Sequence, residues 1–189
     1  MRRYAFCPVC GSALDRTSVS LPIVSLHVCA ACKFEFWQNS KPAVAAIIVR
    51  SLGERPHILL CTRGIEPYKG MWDMPGGFLN NGEHPEQGLE REIREELGTS
   101  LEEKHFLTAE VTEYPREDVA VEARFVLALY YVCTISPDAP LRPADDVAEA
   151  EWFPLDDLPD AIAFTSNTRA IETYRQTLAA RARGGTPSR

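Results

Sequence analysis

The sequence predicts an α/β domain preceded by a small cysteine-rich module. Three observations carry that expectation. Apolar runs of strand length recur along the chain, two segments carry helical spacing, and four cysteines stand ahead of both in two Cys-x-x-Cys pairs. At 189 residues, 45% apolar and 25% charged, the chain can bury a sizeable core. Its net charge of −7 and the lack of a Lys/Arg-rich run argue against a broad nucleic-acid footprint. They do not argue against a small anionic substrate brought in with metal. No apolar stretch approaches membrane-spanning length, and the opening MRRYAFCPVC lacks the apolar core of a secretory signal. A cytoplasmic protein with no membrane partner is the expectation.

Residues 1–39 read as a zinc ribbon. Cys7 and Cys10 form one pair and Cys29 and Cys32 the other, with eighteen residues between them, the spacing of a four-cysteine zinc site. Gly11 permits the turn after Cys10. The intervening Thr17, Val19, Leu21, Ile23, Val24 and Val28 suit a short β ribbon. Disulfides are the competing reading, but a chain without a secretory signal keeps its thiols reduced. A closed four-thiolate site is structural, and in so small a module the metal supplies folding energy. Cys61 and Cys133 sit in apolar runs and read as buried core residues.

After a junction at Asn39–Pro42, residues 40–183 read as the main domain. Ala43–Arg50 and His57–Arg63 are two strands across a turn. Trp72–Pro75 leads as a short extended segment into Gly76 and Gly77. Pro85 to Leu97 is the best-marked helix: Pro85 suits a first helical position and Gly98 the left-handed residue past the end. Leu89, Ile93 and Leu97 make its core stripe. Phe106–Tyr114, Glu122–Ile135 and Ala148–Phe153 follow as strands, with a proline-rich loop at Pro137–Pro143. Leu155–Leu158 reads as a helical turn and Thr165–Arg181 as an amphipathic helix. Residues 184–189 read as a disordered tail.

The chemistry concentrates on the first helix. Glu92, Glu95 and Glu96 share one face at i, i+3 and i+4, where like charges repel. A multivalent cation relieves that repulsion, and a set of carboxylate oxygens suits Mg²⁺ or Mn²⁺ together with substrate phosphates. The bland alternative is a surface helix with Arg91 and Arg94 as ion-pair partners.

The wider spacing is specific: Gly77, five residues, Glu83, seven residues, then Arg91-Glu92-Ile93-Arg94-Glu95-Glu96-Leu97-Gly98. This resembles the Nudix box of the Nudix hydrolases. Thr99 stands where that family has a bulky apolar residue, a departure that touches packing. The resemblance implies an α/β/α sandwich with a mixed sheet, and Mg²⁺- or Mn²⁺-dependent hydrolysis of a pyrophosphate bond. Glu92, Glu95 and Glu96 would then be metal ligands, joined by the carbonyl of Gly76. Arg91 would orient the carboxylates by a bidentate contact. Glu83 either supports the site or serves as an acid favoured at a helix N-terminus. In this family the general base is a box glutamate or an acid on a distant loop. Here that leaves Glu92, or one of Glu113, Glu117, Asp118, Asp145, Asp146 and Glu149.

The substrate is less sharply marked. A zinc ribbon ahead of such a domain resembles the NADH pyrophosphatases, but their Ser-Gln-Pro-Trp-Pro-Phe-Pro-x-Ser run is absent after Leu101. Pro115, sixteen residues past Thr99, stands near a proline of family members acting on ADP-ribose. ADP-ribose therefore ranks first, then FAD and NADH. The alternatives are a house-cleaning nucleoside-triphosphate pyrophosphatase and a non-catalytic nucleotide sensor. Trp72, beside Gly76 and Gly77, is the first choice among Tyr68, Trp72, Tyr114 and Phe164 for stacking a nucleobase. A homodimer is left open.

Overall fold

A computed structural model describes residues 5–14, 25–53, 55–115 and 124–184. Most of the segment between the cysteine pairs, Glu117 and Asp118, and all but the first residue of the expected tail fall outside them. Near the N-terminus, β1 (Ser25–Val28) and β2 (Glu35–Gln38) form an antiparallel hairpin whose connection carries Cys29 and Cys32. The main domain runs β3 (Lys41–Leu52), β4 (Arg55–Arg63), β5 (Trp72–Asp73), β6 (Gly76–Phe78), α1 (Pro85–Leu97), β7 (Leu101–Tyr114), β8 (Arg124–Ile135), β9 (Val147–Pro154) and α2 (Thr165–Ala182).

The sheet is mixed. Its order is β5-β4-β3-β8-β7, β9 pairs with β4, and the β3–β8 pair is parallel while the others are antiparallel. One edge of β3 serves two partners. Its last four residues pair with β4, while Ala43–Ala45 pair with β6. Between these stretches the sheet opens, and Ala46 donates its N–H to Pro75 instead.

Side chains alternate along β3, so the sheet buries both faces. Val44, Ala46 and Ile48 pack with Leu89, Ile93 and Leu97 of α1. Ala45 and Ile47 pack with Ile58, Leu60, Tyr130 and, from α2, Ala170 and Ile171. A helix on each face gives the α/β/α layering. Helix α1 ends where its sequence signals place it: Pro85 opens the first turn, His84 caps it by accepting from Glu86 N–H at 3.4 Å, and Gly98 sits at φ 64°.

Two elements differ from expectation. β7 begins at Leu101, five residues before the expected Phe106, because Glu102 and Glu103 are exposed and leave no apolar alternation to read. Leu155–Leu158 forms a turn without a helix. Among the described residues no helix is long and apolar enough to cross a membrane.

Candidate active site

A cleft of about 420 Å³ lies where the sheet opens beside β3. One side comes from a single contiguous segment: Gly76, Gly77, Phe78, Asn80, Arg91, Glu92, Glu95 and Glu96 all line it. The other side is assembled from Arg63 and Asp73 of the β4–β5 pair, Tyr114 at the end of β7, the Asp145–Asp146 turn, and Phe164, Ser166 and Asn167 at the start of α2.

The glycines are dictated by close approach. A Cβ on Gly76, which sits at φ 147°, would fall 2.2 Å from the carbonyl oxygen of Val44. A Cβ on Gly77 would fall 2.5 Å from the carboxylate of Glu92. Both positions therefore exclude side chains so that the β6 backbone can pass between β3 and the glutamates.

Arg91 organises the acids. Its Nε and Nη2 donate to the two oxygens of Glu83 at 2.8 and 2.9 Å, and its Nη1 donates to Glu92 at 2.8 Å and Glu95 at 2.9 Å. A further Nη2 bond goes to the carbonyl of Phe78 at 3.1 Å. A guanidinium carries five N–H donors, and five bonds use them all. Paired this way, Glu83 is held down to about 2, chiefly by its hydrogen bonds from Arg91.

Glu96 is a different case. It is buried, and among the described residues only the Gly76 N–H donates to it, at 2.8 Å. Burial, reinforced by the nearby Glu92, Asp73 and Asp146, pushes its carboxyl up to about 8. Burial also raises Glu92, against the opposing pull of Arg91. Glu95 is half exposed and turned toward Arg91. The three glutamates share the cleft but do not converge on one point. Among the described residues, the four cysteines are the one group whose ligand atoms all lie within 4.8 Å of one another.

That cysteine group has the dimensions of a metal site. Cys7 and Cys32 sulfurs stand 3.7 Å apart and those of Cys10 and Cys29 3.6 Å apart. Four sulfurs about 2.3 Å from one tetrahedral ion stand about 3.8 Å apart. The two knuckles repeat one local design. Gly11 N–H donates to the Cys7 carbonyl and Lys33 N–H to the Cys29 carbonyl, each at 2.9 Å, with φ of 71° and 63°. Cys61 and Cys133 are buried in the main core.

The floor of the cleft holds a polar network that the sequence does not announce. Arg63 Nη1 donates to Asp73 at 2.6 Å, and Asp73 also accepts from Asn167 Nδ2 at 2.6 Å and from Met74 N–H at 2.8 Å. The Tyr130 hydroxyl donates to Asn167 Oδ1 at 2.8 Å. Burial raises the Asp73 carboxyl, while Arg63 and Asn167 oppose the shift. A lone acid in the apolar run Trp72-Asp73-Met74 was the available signal; Asn167 carried none.

Of the stacking candidates, Tyr114 and Phe164 line the cleft, whereas Trp72 does not. The Trp72 ring packs edge-on against Phe153 at 4.7 Å and joins the core beneath α2. Its neighbour Asp73 takes the cleft-facing position because adjacent strand residues point to opposite faces. Among the acids weighed as general base, Glu92, Asp145 and Asp146 line the cleft, and Glu113 and Glu149 do not. Burial, with Asp145 adjacent, raises Asp146. Asp145 itself holds a left-handed φ of 55°.

The NUDIX domain family model matches residues 39–174. The ADP-ribose pyrophosphatase of Methanocaldococcus jannaschii is 33% identical over 142 residues, covering 75% of this chain and 77% of that one. The NAD-capped RNA hydrolase NudC of Stutzerimonas stutzeri is 24% identical over 173 residues, covering 91% of this chain but only 56% of that protein. Among solved structures, a NUDIX hydrolase from Nitrosomonas europaea superposes with a TM-score of 0.66 at 22% identity, covering 98% of this chain and 97% of that one.

Proposed function

The chain belongs to the NUDIX family of hydrolases, and from that premise we propose that it cleaves the pyrophosphate bond of a nucleoside diphosphate linked to a second moiety. ADP-ribose ranks first, followed by FAD and NADH. The observation that carries the reading is the charge of the cleft. Six carboxylates line it (Asp73, Glu92, Glu95, Glu96, Asp145 and Asp146) against two cations, and Arg91 has no N–H left to offer. A pyrophosphate cannot enter such a site without added positive charge.

In donor chemistry, though not in their present positions, those residues fit a divalent ion. Glu92, Glu95, Glu96 and the carbonyl of Gly76 would hold Mg²⁺ or Mn²⁺, hard cations matched to oxygen donors. A buried carboxyl held near 8 in the absence of a cation is one that a cation would ionise. When bound, the ion neutralises the bridging phosphates and acidifies a water. Arg91 keeps Glu92 and Glu95 in place, and Gly77 leaves room for the Glu92 carboxylate. Asp146 is the acceptor of the water proton in this reading, because Glu92 is already committed to Arg91 and burial raises the Asp146 pKa, which makes its carboxylate a stronger base.

The four cysteines would hold one structural Zn²⁺, in keeping with a reducing cytoplasm. The similarity to an ADP-ribose pyrophosphatase supports the substrate ranking. The test is a screen of ADP-ribose, FAD, NADH and nucleoside triphosphates with Mg²⁺ or Mn²⁺, reading released AMP and pyrophosphate. ADP-ribose should yield AMP and ribose 5-phosphate with the highest kcat/KM. A nucleoside triphosphate turned over far faster than every dinucleotide would overturn the ranking.

A further inference from the structure

Helix α1 leaves part of its sheet face bare. Its 13 residues span about 20 Å, too short to cover β8, whose 12 residues run about 40 Å. Leu129, Tyr131 and Cys133 of β8 pack in the core beneath α1, but Phe125 and Leu127, on the same face, are 49% and 37% exposed. Their neighbours extend the strip. Leu127 pairs with Val111 of β7, which is 52% exposed, and with exposed Pro42 of β3. Exposed Glu113, paired with Phe125, puts a charge at its rim.

A second apolar surface surrounds the four cysteines. Phe6, Val9 and Val28 each adjoin a cysteine in sequence, Phe34 lies two residues past Cys32, and all four are exposed. The cysteine ligand atoms lie within 4.8 Å of one another, so these neighbours ring one point. Exposed Lys33 stands among them, in the knuckle that its N–H closes on the Cys29 carbonyl. Apolar surface gathered in this way marks an interaction site.

Both surfaces stay exposed, so neither covers the other within one chain. Only Asn39 and Ser40 separate β2 from β3, and the cysteine end of the β1–β2 hairpin lies about 13 Å up β2 from that junction. A hairpin cannot bring its far end back onto the strand it leads into without breaking its own pairs. A second copy has no such restriction. Charge favours the same match. Arg2, Arg3, Arg16 and Lys33 against Asp15 and Glu35 give residues 1–39 a net charge of +2, so with −7 overall the remaining residues carry −9. Ribbon against ribbon and main domain against main domain repel, whereas ribbon against main domain attracts.

We propose that two copies of the chain associate reciprocally, the cysteine-rich tip of each seated on the Val111–Phe125–Leu127 face of the other, with Lys33 opposite Glu113. The exchange closes a two-fold dimer that contains the same contact twice. Two contacts also double the buried area, toward the roughly 1,200–2,000 Å² of a specific interface. This assignment does not depend on the reaction given to the cleft.

Sedimentation equilibrium on the zinc-replete full chain tests it. Wild type should run as a dimer of about 42 kDa, twice the 21.1 kDa chain. Val111→Lys charges an exposed position, so it should leave Tm unchanged and raise the dissociation constant about tenfold or more. Lys33→Glu and Glu113→Lys should each weaken the dimer, and the double variant should restore it. If the Val111 variant fails to fold, this charge exchange decides alone. In a mixture of light and heavy-isotope chains, a carbodiimide cross-link between Lys33 and Glu113 should join a light peptide to a heavy one. A wild type still monomeric at about 0.1 mM, a folded Val111→Lys protein that dimerises as wild type does, or a double variant no tighter than either single one overturns the proposal.

Discussion

Replacing Arg91 with Lys keeps the charge and removes the fork, so it isolates what the guanidinium geometry contributes. Arg91 makes five hydrogen bonds, four to carboxylates and one to the Phe78 carbonyl. An ammonium has three donors at one point, so at least two bonds are lost and the paired contact with Glu83 cannot form. Hydrogen bonds to charged groups contribute about 1.5–3 kcal/mol each. Arg91 is one-quarter exposed, so water replaces part of what is lost. A destabilisation of about 2 kcal/mol follows, which for a chain of this size lowers Tm by about 4–8 °C. Glu92 and Glu95 also lose their common tether, and disturbing the groups that orient metal ligands weakens binding about 10- to 100-fold. Thermal unfolding and a Mn²⁺ titration, both at neutral pH on zinc-replete protein, measure the two effects. An Arg91→Lys protein with wild-type Tm and wild-type Mn²⁺ affinity would refute the role given to the fork.

Glu95→Gln and Glu96→Gln should each lower kcat by roughly 10²- to 10³-fold while leaving the fold intact, the cost of one group that stabilises charge in a transition state; full activity in both would remove these residues from the mechanism. Without Mg²⁺, Glu96 should make stability fall as pH rises. Its folded pKa of about 8 lies above its ordinary 4.5, so its stabilising proton is fully present below 4.5 and lost as pH passes through 8. Tm against pH should therefore slope less in Glu96→Gln than in wild type over that window, and parallel curves would count against the burial argument. Cys29→Ser should release about one equivalent of zinc and destabilise the N-terminal module while the main domain keeps its dependence on Mg²⁺ or Mn²⁺; elemental analysis showing no zinc in wild type purified without chelator would end the zinc assignment.

What could be read from sequence was local. Pro85, the leucine stripe and Gly98 bound α1 because each acts within a turn or two of its own position. The cysteine pairs work the same way, through knuckles closed by bonds four residues apart. What could not be read was long-range. Asn167 reaches Asp73 across 94 positions and Tyr130 reaches Asn167 across 37, and no spacing rule links them. Trp72 stays out of the cleft despite its closeness to the glycines, because proximity along the chain says nothing about which face of a two-residue strand a ring takes. Phe78, which lines the cleft, reads in sequence as only an apolar residue following two glycines, and its exposure becomes visible once β6 is laid along β3.

The unequal construction of the cleft bears on how such a protein can change over generations. The glycines, Arg91 and the three glutamates fall within residues 76–96, so they are inherited as one block and mutual adjustment among them is short-range. The facing wall draws Arg63, Tyr114 and Phe164 from three separate elements. A substitution there leaves the hydrogen bonds among Arg91, Glu83, Glu92 and Glu95 untouched. Under the proposed function, preference for one nucleotide over another can therefore drift in small independent steps while the capacity to break a pyrophosphate bond is retained.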